Sequence, residues 1–203
     1  MTSWPRILLA TNNPGKLVEL RVILSSPDWK LVSPAEIDIE LSTVENGSSY
    51  AENATIKAVE GAAAGSLLTL ADDSGIEIDA LGGAPGYLSA RYLGETASYE
   101  ERFRAILGEL AGLPAPQRSA RFRCVIAIAR PGDGAVRTVE GVCEGLIAET
   151  PQGDAGFGYD PIFYLPDLGK TMAQLTPEEK NAVSHRARAA RAALPILKEL
   201  TNE

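Results

Sequence analysis

Two adjacent carboxylates, Asp72 and Asp73, follow a short apolar run at residues 67–71 and lie directly before Ser74. A buried strand that ends in carboxylates presents hard oxygen ligands, which suit a cation such as Mg²⁺. The alternative is a strand that ends in an ordinary polar turn, because Asp, Ser and Gly are common turn residues. This stretch alone does not decide between a metal or catalytic site and a turn.

A polar loop near the amino terminus has the pattern of a phosphate site. Residues 6–10 predict a buried strand, and residues 17–24 repeat apolar side chains at helical spacing. The loop between them would direct helix amino-terminal amides and the Lys16 ammonium toward a phosphate. It is not a P-loop, and a plain connection is the alternative interpretation. The loop consists of Thr11, Asn12, Asn13, Pro14, Gly15 and Lys16.

Capping boxes, in which a Ser or Thr precedes a Glu by three residues, predict three helix starts. They lie at Ser49, Ser98 and Thr176. The first of these helices is predicted to run to about Ala64, where Gly65 stops it, and it carries Asn53 and Lys57 on one face, four residues apart. A lysine in the middle of a helix is normally solvated, so this pair acquires meaning only from its partners.

The remaining apolar runs predict strands. Residues 75–79 alternate in polarity, and residues 120–129 and 135–147 predict two long strands joined by the turn Pro131-Gly132-Asp133-Gly134. A long helix is expected from Ser184, disturbed at Pro195. This mixture of helices and hairpins favours an α/β domain with a mixed sheet over a purely parallel one.

Composition and length favour one globular domain over residues 1–203. Apolar residues make up 45% and charged residues 23% of the chain, close to average globular usage. The 27 acidic and 19 basic side chains give a formal net charge of −8. Because phosphate backbones demand a basic face, this balance argues against a nucleic-acid partner. A small phosphorylated ligand needs only a few cations, so a locally basic pocket is predicted.

Several features predict a cytoplasmic protein without a membrane partner. Cys124 and Cys143 are too few for a disulfide scaffold, and both lie in apolar runs, which predicts buried thiols in a reducing compartment. The amino terminus lacks a signal-peptide pattern. No apolar run approaches the ~18 residues that a membrane helix needs.

The order of the polar motifs resembles the inosine triphosphate pyrophosphatase family. Each motif alone is weak, whereas six in order make the match specific. Asn12 stands where many members have Gly, and Asn46 where Thr is frequent. The six motifs are Thr11-x-Asn13-x-x-Lys16, Glu52-Asn53-Ala54-x-x-Lys57-Ala58, Ala71-Asp72-Asp73-Ser74-Gly75, Gly82-Gly83-x-Pro85-Gly86, Phe157-Gly158-Tyr159-Asp160-Pro161 and Glu179-Lys180-Asn181-x-x-Ser184-His185-Arg186.

The resemblance implies an enzyme that clears aberrant purine nucleoside triphosphates, namely inosine (ITP), deoxyinosine (dITP) and xanthosine (XTP) triphosphates. Hydrolysis between the α and β phosphates would yield the nucleoside monophosphate and pyrophosphate. The implied cofactor is Mg²⁺, held by Glu45 and Asp73 with Asp72 as a third or outer ligand. Asp73 is also implied as the proton acceptor, and Lys57 as the group that orients or activates the water.

The resemblance also implies the substrate contacts. The loop at residues 11–16 and Ser74 would hold the triphosphate, with Lys16 and Lys180 as cations. Phe157 would stack on the base, beside Gly158, Tyr159 and Asp160. His185 and Arg186 would donate to the oxygen at position 6, which adenine lacks.

Some assignments keep an alternative. Asp160 either orders its loop or contacts the base, Tyr159 either fixes the turn or binds substrate, and His185 is either a base contact or a helix-start residue with a local hydrogen bond. The resemblance further implies a homodimer and an elongated sheet flanked by helices, in two lobes around a nucleotide-binding cleft.

Two other functions compete with this interpretation. A pyrophosphatase for modified pyrimidine nucleotides is opposed by the Ser-His-Arg and Phe-Gly-Tyr-Asp elements. A nucleotide-binding regulator without turnover is opposed by the presence of both Lys57 and Asp73, because binding alone needs neither a poised water nor a proton acceptor.

Overall fold

The computed structural model describes residues 5–132 and 134–202 and shows an α/β fold with a mixed sheet. The strands are β1 (Arg6–Leu9), β2 (Lys30–Val32), β3 (Leu68–Ile78), β4 (Ser119–Ala129), β5 (Val136–Ile147), β6 (Phe163–Leu165) and β7 (Lys170–Thr171). The helices are α1 (Pro14–Ile23), α2 (Tyr50–Gly65), α3 (Tyr99–Glu109), α4 (Pro177–Val183) and α5 (His185–Thr201).

The seven strands follow the spatial order β2-β1-β3-β4-β5-β6-β7. β1 pairs in parallel with β2 and β3, with Ile7 opposite Leu31 and Leu68. β6 pairs antiparallel with β5 and β7, with Tyr164 opposite Leu146 and Thr171. Both kinds of pairing occur, so the predicted mixed sheet with flanking helices is confirmed. The predicted cleft stays a prediction.

The described chain divides into two compact units. The first unit comprises residues 5–73, 124–132, 134–141 and 185–202, and the second unit comprises residues 74–123 and 142–184. β3, β4 and β5 each contribute residues to both units. No helix in the described part of the chain is long and apolar enough to cross a membrane.

The first unit has a core built on β1 and α5. Ile7 and Leu9 are fully buried, as expected for a strand inside a parallel part of a sheet. α5 contributes Ala189, Ala190 and Ala193, whose small side chains allow the helix backbone to approach its neighbours closely. Pro195 lies inside α5, which continues to Thr201, so the predicted disturbance does not end the helix.

The second unit has a core of its own around β3 and α3. Ile76 and Ile78 point to the same face of β3, and Phe103 and Ile106 of α3 join the same cluster. The rings of Phe122 and Phe163 lie with centroids 4.4 Å apart. Both cysteines of the chain are buried thiols, as predicted.

Two of the three predicted capping boxes are complete. Ser98 and Glu101 exchange bonds at the start of α3, and Thr176 and Glu179 do so at α4. At α2, the Ser49 hydroxyl accepts from Glu52 N at 3.2 Å. The Glu52 carboxylate instead accepts from the Ser48 backbone N–H at 2.6 Å, so this box is only half formed.

Three predicted boundaries are wrong. The carboxylates lie inside β3, which continues to Ile78, because pairing of Asp72 with Lys16 and Arg186 compensates its burial within a strand. α2 includes Gly65 and ends where Ser66 takes the left-handed conformation, at φ 49°.

The third boundary is the start of α1. The helix begins at Pro14, three residues before the predicted start, because Asn13 caps it and proline is compatible with the first helical position. The strands predicted at residues 120–129 and 135–147 are present as the neighbours β4 and β5. Asp133 of their predicted turn lies outside the described residues.

Candidate active site

The loop at residues 11–16 is held by hydrogen bonds of its side chains. The Asn13 side-chain oxygen accepts from Lys16 N at 3.1 Å, and the Thr11 hydroxyl accepts from Asn13 N at 3.1 Å. Asn12 donates from Nδ2 to the Leu41 carbonyl at 2.9 Å. The predicted strand, loop and helix are therefore confirmed, with Pro14, Gly15 and Lys16 forming the first turn of α1.

Asp72 is a buried anion among cations. Its Oδ2 lies 3.1 Å from Lys16 Nζ and 3.2 Å from Arg186 Nε. Burial alone would raise the pKa of this carboxyl, but the charges of Lys16, Arg186 and Lys57 outweigh it and hold the pKa well below its ordinary value. Asp72 is therefore ionised and shared between α1 and α5.

Arg186 completes this network from the first turn of α5. Its Nη1 lies 2.6 Å from Glu19 Oε2, in addition to the contact between Nε and Asp72. Burial would lower the pKa of Arg186, but Asp72 and Glu19 raise it above its ordinary value. The guanidinium thus connects α5 with α1 and β3 within the first unit.

A close approach of β5 fixes the start of α5. A Cβ added to Gly141 would lie 2.2 Å from the His185 carbonyl oxygen and 2.4 Å from Ala189 N. Only glycine lets the strand backbone lie this close to the helix. His185, the chain's only histidine, is buried at the first residue of α5.

Lys57 lies between two of the predicted metal ligands. Its ammonium is 2.8 Å from Glu45 Oε1 and 3.3 Å from Asp73 Oδ1. Burial would lower the pKa of Lys57, but Asp73, Asp72 and Glu45 outweigh it and raise the pKa. The group therefore carries a positive charge, which suits charge neutralisation and orientation of a water better than proton acceptance.

The pKa of Asp73 is raised, whereas that of the neighbouring Asp72 is lowered. Burial is the main cause of its raised pKa, with Glu45 and Asp72 adding to it and Lys57 and Lys16 opposing it. A carboxylate with a raised pKa holds an accepted proton better than an ordinary one. The two adjacent carboxylates thus differ in their environments, and Asp73 is the better candidate for proton acceptance.

Asn53 is a site residue that the sequence motifs contained but to which no role was assigned. Its side chain is fully buried, accepting at Oδ1 from Gly47 N at 2.9 Å and donating from Nδ2 to Asp73 Oδ2 at 3.4 Å. A Cβ on Gly47 would lie 2.7 Å from Asn53 Oδ1. The four-residue spacing of Asn53 and Lys57 was the signal, because it directs both side chains to one carboxylate.

The donor set fits a hard cation. Glu45 and Asp73 both direct oxygens at one ammonium, so carboxylates from two segments converge on one positive charge. Among the described residues there is no group of three or more His, Cys, Asp or Glu side chains that could hold a metal ion. Mg²⁺ is usually bound by one or two carboxylates together with waters and substrate phosphates, so two carboxylates suffice.

The second unit contains a cluster around Asp160. This buried carboxylate accepts from Phe157 N at 2.9 Å and from Lys180 Nζ at 2.5 Å. Lys180 Nζ also lies 4.7 Å from the centroid of the Phe157 ring, a cation–π contact. A Cβ on Gly156 would lie 2.1 Å from Asp160 Oδ2. These bonds support the loop-ordering role of Asp160.

Tyr159 points away from solvent in the same loop. It is 4% exposed, and its hydroxyl donates to the Ser89 carbonyl at 2.8 Å. Burial raises the pKa of its hydroxyl above the ordinary value. Gly158, with φ +65°, provides the left-handed conformation between Phe157 and Tyr159. The geometry therefore favours the turn-fixing interpretation of Tyr159.

The predicted site residues are divided between the two units. In the first unit, ion pairs join Lys16, Asp72 and Arg186, and a second set of ion pairs joins Glu45, Lys57 and Asp73. The predicted residues of the second unit are Ser74 on β3 and Phe157, Gly158, Tyr159, Asp160 and Lys180.

Comparison with known proteins identifies the family. A model of the Ham1 family matches residues 7–196, nearly the whole chain. The chain belongs to the Ham1 family. The resemblance carried by the six motifs is therefore confirmed, and all six lie within the matched residues of this Ham1 chain.

Relatives of this Ham1 chain carry a name for their activity. A protein of Desulforamulus reducens, named dITP/XTP pyrophosphatase, is 46% identical over 195 residues, which are 96% of each chain. A Bacillus subtilis protein of the same name is 48% identical over 180 residues, 89% of this chain and 90% of that one.

Solved structures agree with the family assignment. A HAM1 protein from Coxiella burnetii superposes with a TM-score of 0.86 at 43% identity, over 96% of this chain and 99% of that one. A Mycobacterium abscessus protein is described as a nucleoside-triphosphatase and dITP/XTP pyrophosphatase. It gives a TM-score of 0.73 at 44% identity, over 94% of this chain and 99% of that one.

Proposed function

We propose that this Ham1 chain hydrolyses aberrant purine nucleoside triphosphates (ITP, dITP and XTP) to the monophosphate and pyrophosphate, which prevents their incorporation into DNA and RNA. The relatives named dITP/XTP pyrophosphatase support this substrate class. The observation that carries the proposal is the Lys57 ammonium between the Glu45 and Asp73 carboxylates, beside the buried Asp72 with its cations. This arrangement combines a proton acceptor, a fixed positive charge and oxygen donors for a metal.

The proposed chemical step uses Asp73 as the proton acceptor. The water oxygen forms a bond to the α-phosphorus while the bond from that phosphorus to the bridging oxygen breaks, and a water proton passes to Asp73. Pyrophosphate leaves with the bridging oxygen. Lys57 orients the water and offsets the negative charge that develops on the phosphate oxygens.

We propose Mg²⁺ as the metal, with Glu45 and Asp73 as ligands and Asp72 as a third or outer group. When bound, Mg²⁺ supplies positive charge to the phosphate oxygens. Lys16 and Arg186 already occupy Oδ2 of Asp72, which favours the outer role for this carboxylate. The homodimer and the cytoplasmic location stay predictions.

Substrate binding is proposed for both groups of residues. Residues 11–16 and Ser74 contact the triphosphate, with Lys16 and Lys180 as cations. Phe157 stacks on the base, and Gly158, Tyr159 and Asp160 shape the loop that carries it. His185 and Arg186 donate to the oxygen at position 6. An amino group there would leave such donors unpaired, at a cost of about 1–3 kcal/mol per lost partner.

A product assay tests this function. The protein is incubated with Mg²⁺ and, separately, with ITP, XTP, ATP and GTP, and the products are identified. Monophosphate and pyrophosphate from ITP and XTP, with much slower turnover of ATP, are expected. Release of orthophosphate, or equal turnover of ATP, would contradict the proposal. Tight binding of ITP without turnover would instead indicate a nucleotide-binding regulator.

A further inference from the structure

Ser89 is a buried serine that none of the roles above uses. It lies in a short 3₁₀ segment, Gly86–Arg91, of the second unit. Its hydroxyl accepts from Ile76 N at 2.9 Å and donates to the Gly86 carbonyl at 2.6 Å. Its own carbonyl accepts from the Tyr159 hydroxyl at 2.8 Å. One residue thus bonds both to β3 and to the loop that carries Phe157.

The 3₁₀ segment packs closely against β3 at Gly75, the residue after Ser74. A Cβ added to Gly75 would lie 2.3 Å from the Gly86 carbonyl oxygen and 2.5 Å from Ser89 Oγ. Glycine is therefore required at this position, and the backbone next to Ser74 is fixed against the 3₁₀ segment. The bond from Ile76 N to Ser89 Oγ holds the strand two residues after Ser74.

The contact with the loop is equally constrained. The Tyr159 ring packs edge-on against Tyr99, with centroids 5.3 Å apart, and lies 6.2 Å from the Phe103 centroid. Contacts with two neighbouring rings restrict the rotation of the Tyr159 side chain. Its hydroxyl, bonded to the Ser89 carbonyl, therefore holds the loop beside Ser89. Phe157 is two residues away, and its backbone N–H is fixed by Asp160.

We propose that Ser89 is a positioning residue that sets the distance between Ser74 and Phe157. The inference rests on the proposed function, in which Ser74 contacts the triphosphate and Phe157 stacks on the base. A fixed distance lets the binding of the base hold the phosphates in the reactive position, because binding energy remote from the reacting bond is then used to orient it. Ser89 selects substrates in which base and triphosphate are joined at the spacing of a nucleotide.

A double-mutant cycle on ITP hydrolysis tests the connection. Tyr159→Phe removes only the hydroxyl that bonds to Ser89, and Phe157→Ala removes the stacking ring. If Tyr159 acts by positioning Phe157, Tyr159→Phe lowers kcat/KM about three- to tenfold in the wild-type background, in line with the loss of one hydrogen bond. The same change then has less than about a twofold effect in the Phe157→Ala background.

Two further variants distinguish positioning from stability. Ser89→Ala, which removes both hydroxyl bonds, should lose at least as much activity as Tyr159→Phe, again only when Phe157 is present. Tyr92→Phe is the matched control, because it removes a tyrosine hydroxyl that bonds to Glu109 in the same unit and leaves the three bonds of Ser89 in place. It should leave kcat/KM unchanged.

The outcomes separate this inference from the function on which it rests. Equal losses from Tyr159→Phe with and without the Phe157 ring, or no loss at all, overturn the positioning role while the enzyme remains an ITP pyrophosphatase. A Phe157→Ala variant with full activity overturns the proposed stacking and the link together. A wild-type protein that does not hydrolyse ITP overturns the proposed function itself.

Discussion

Buried arginines have different partners in the two units. Arg186 of the first unit pairs with two carboxylates, those of Asp72 and Glu19. Arg118 of the second unit donates instead to three main-chain carbonyls, at 2.7–2.8 Å. Those acceptors belong to Leu110, Ile147 and Ala148.

The difference separates a functional cluster from a structural one. Main-chain carbonyls are neutral, and an arginine that binds three of them fastens chain segments together without bringing further charges into the core. Buried carboxylates cost desolvation energy that their ion pairs only partly recover, so they are weak evidence for stability. We therefore interpret the carboxylates around Lys16, Lys57 and Arg186 as retained for chemistry, and Arg118 as retained for folding.

The largest stability effect is expected at Arg118. Arg118→Ala leaves three carbonyls without their donor, and we expect a loss of about 3–5 kcal/mol in the free energy of unfolding. Denaturant unfolding measures this loss. Arg104→Ala, at an exposed position of α3, is the control and should change stability by less than about 0.5 kcal/mol. A small effect of Arg118→Ala on stability would contradict the interpretation that Arg118 is retained for folding.

Gly141→Ala should damage the start of α5. The added methyl group meets backbone atoms of His185 and Ala189, which cannot give way without moving the first turn that carries Arg186. We expect a loss of about 1–3 kcal/mol in stability, as for other overpacked sites. Thermal unfolding measures it, with Gly108→Ala as the control because no atom lies within 4 Å of a Cβ there. Equal behaviour of the two variants would contradict the close packing of β5 and α5.

A smaller effect, mainly on activity, is expected at Asn53. Asn53→Ala removes the donor to Asp73 and the acceptor for Gly47 N, so we expect kcat to fall by about tenfold, as for a weakened positioning contact. Steady-state kinetics with ITP measures it. The variant also leaves the Gly47 N–H unsatisfied, so stability must be measured beside it. Unchanged kcat would mean that Asn53 holds the Gly47 loop and nothing more.

The smallest effect is expected at the surface pair of Arg137 and Glu199. Their two bonds are 2.7 Å long, but both side chains are about half exposed. Exposed ion pairs typically contribute about 0.2–1 kcal/mol, so Arg137→Ala should barely shift the unfolding midpoint. A loss comparable with that of Arg118→Ala would show that ion pairing as such, and not burial, decides the energetics.

The sequence predicted local features well. The boxes at Ser98 and Thr176 start α3 and α4, because capping depends on residues three apart. The Asp72–Asp73 stretch was predicted to leave its strand, because a local pattern cannot show that Lys16 and Arg186 compensate a buried carboxylate. Those partners lie 56 residues before and 114 residues after Asp72 in the sequence, so their meeting depends on the fold.

The candidate site was found through the order of its motifs and not through single residues. The family resemblance that the motifs carry implied roles for Glu45, Lys57 and Asp73, and the structure places both carboxylates at the Lys57 ammonium. The motifs could not reveal the bonds of Ser89 or Arg118, because the partners of both are main-chain atoms, which carry no sequence signature.

In the proposed function, the carboxylate–lysine cluster of the first unit performs the hydrolysis, with Asp73 as proton acceptor. The most direct measurement is the rate at which Asp73→Asn releases pyrophosphate from ITP, with Asp167→Asn, at an exposed position, as the matched control. We expect kcat of Asp73→Asn to fall by about 10²–10⁴-fold while the protein stays folded, and the control to keep full activity. A folded Asp73→Asn variant with wild-type turnover would contradict the account.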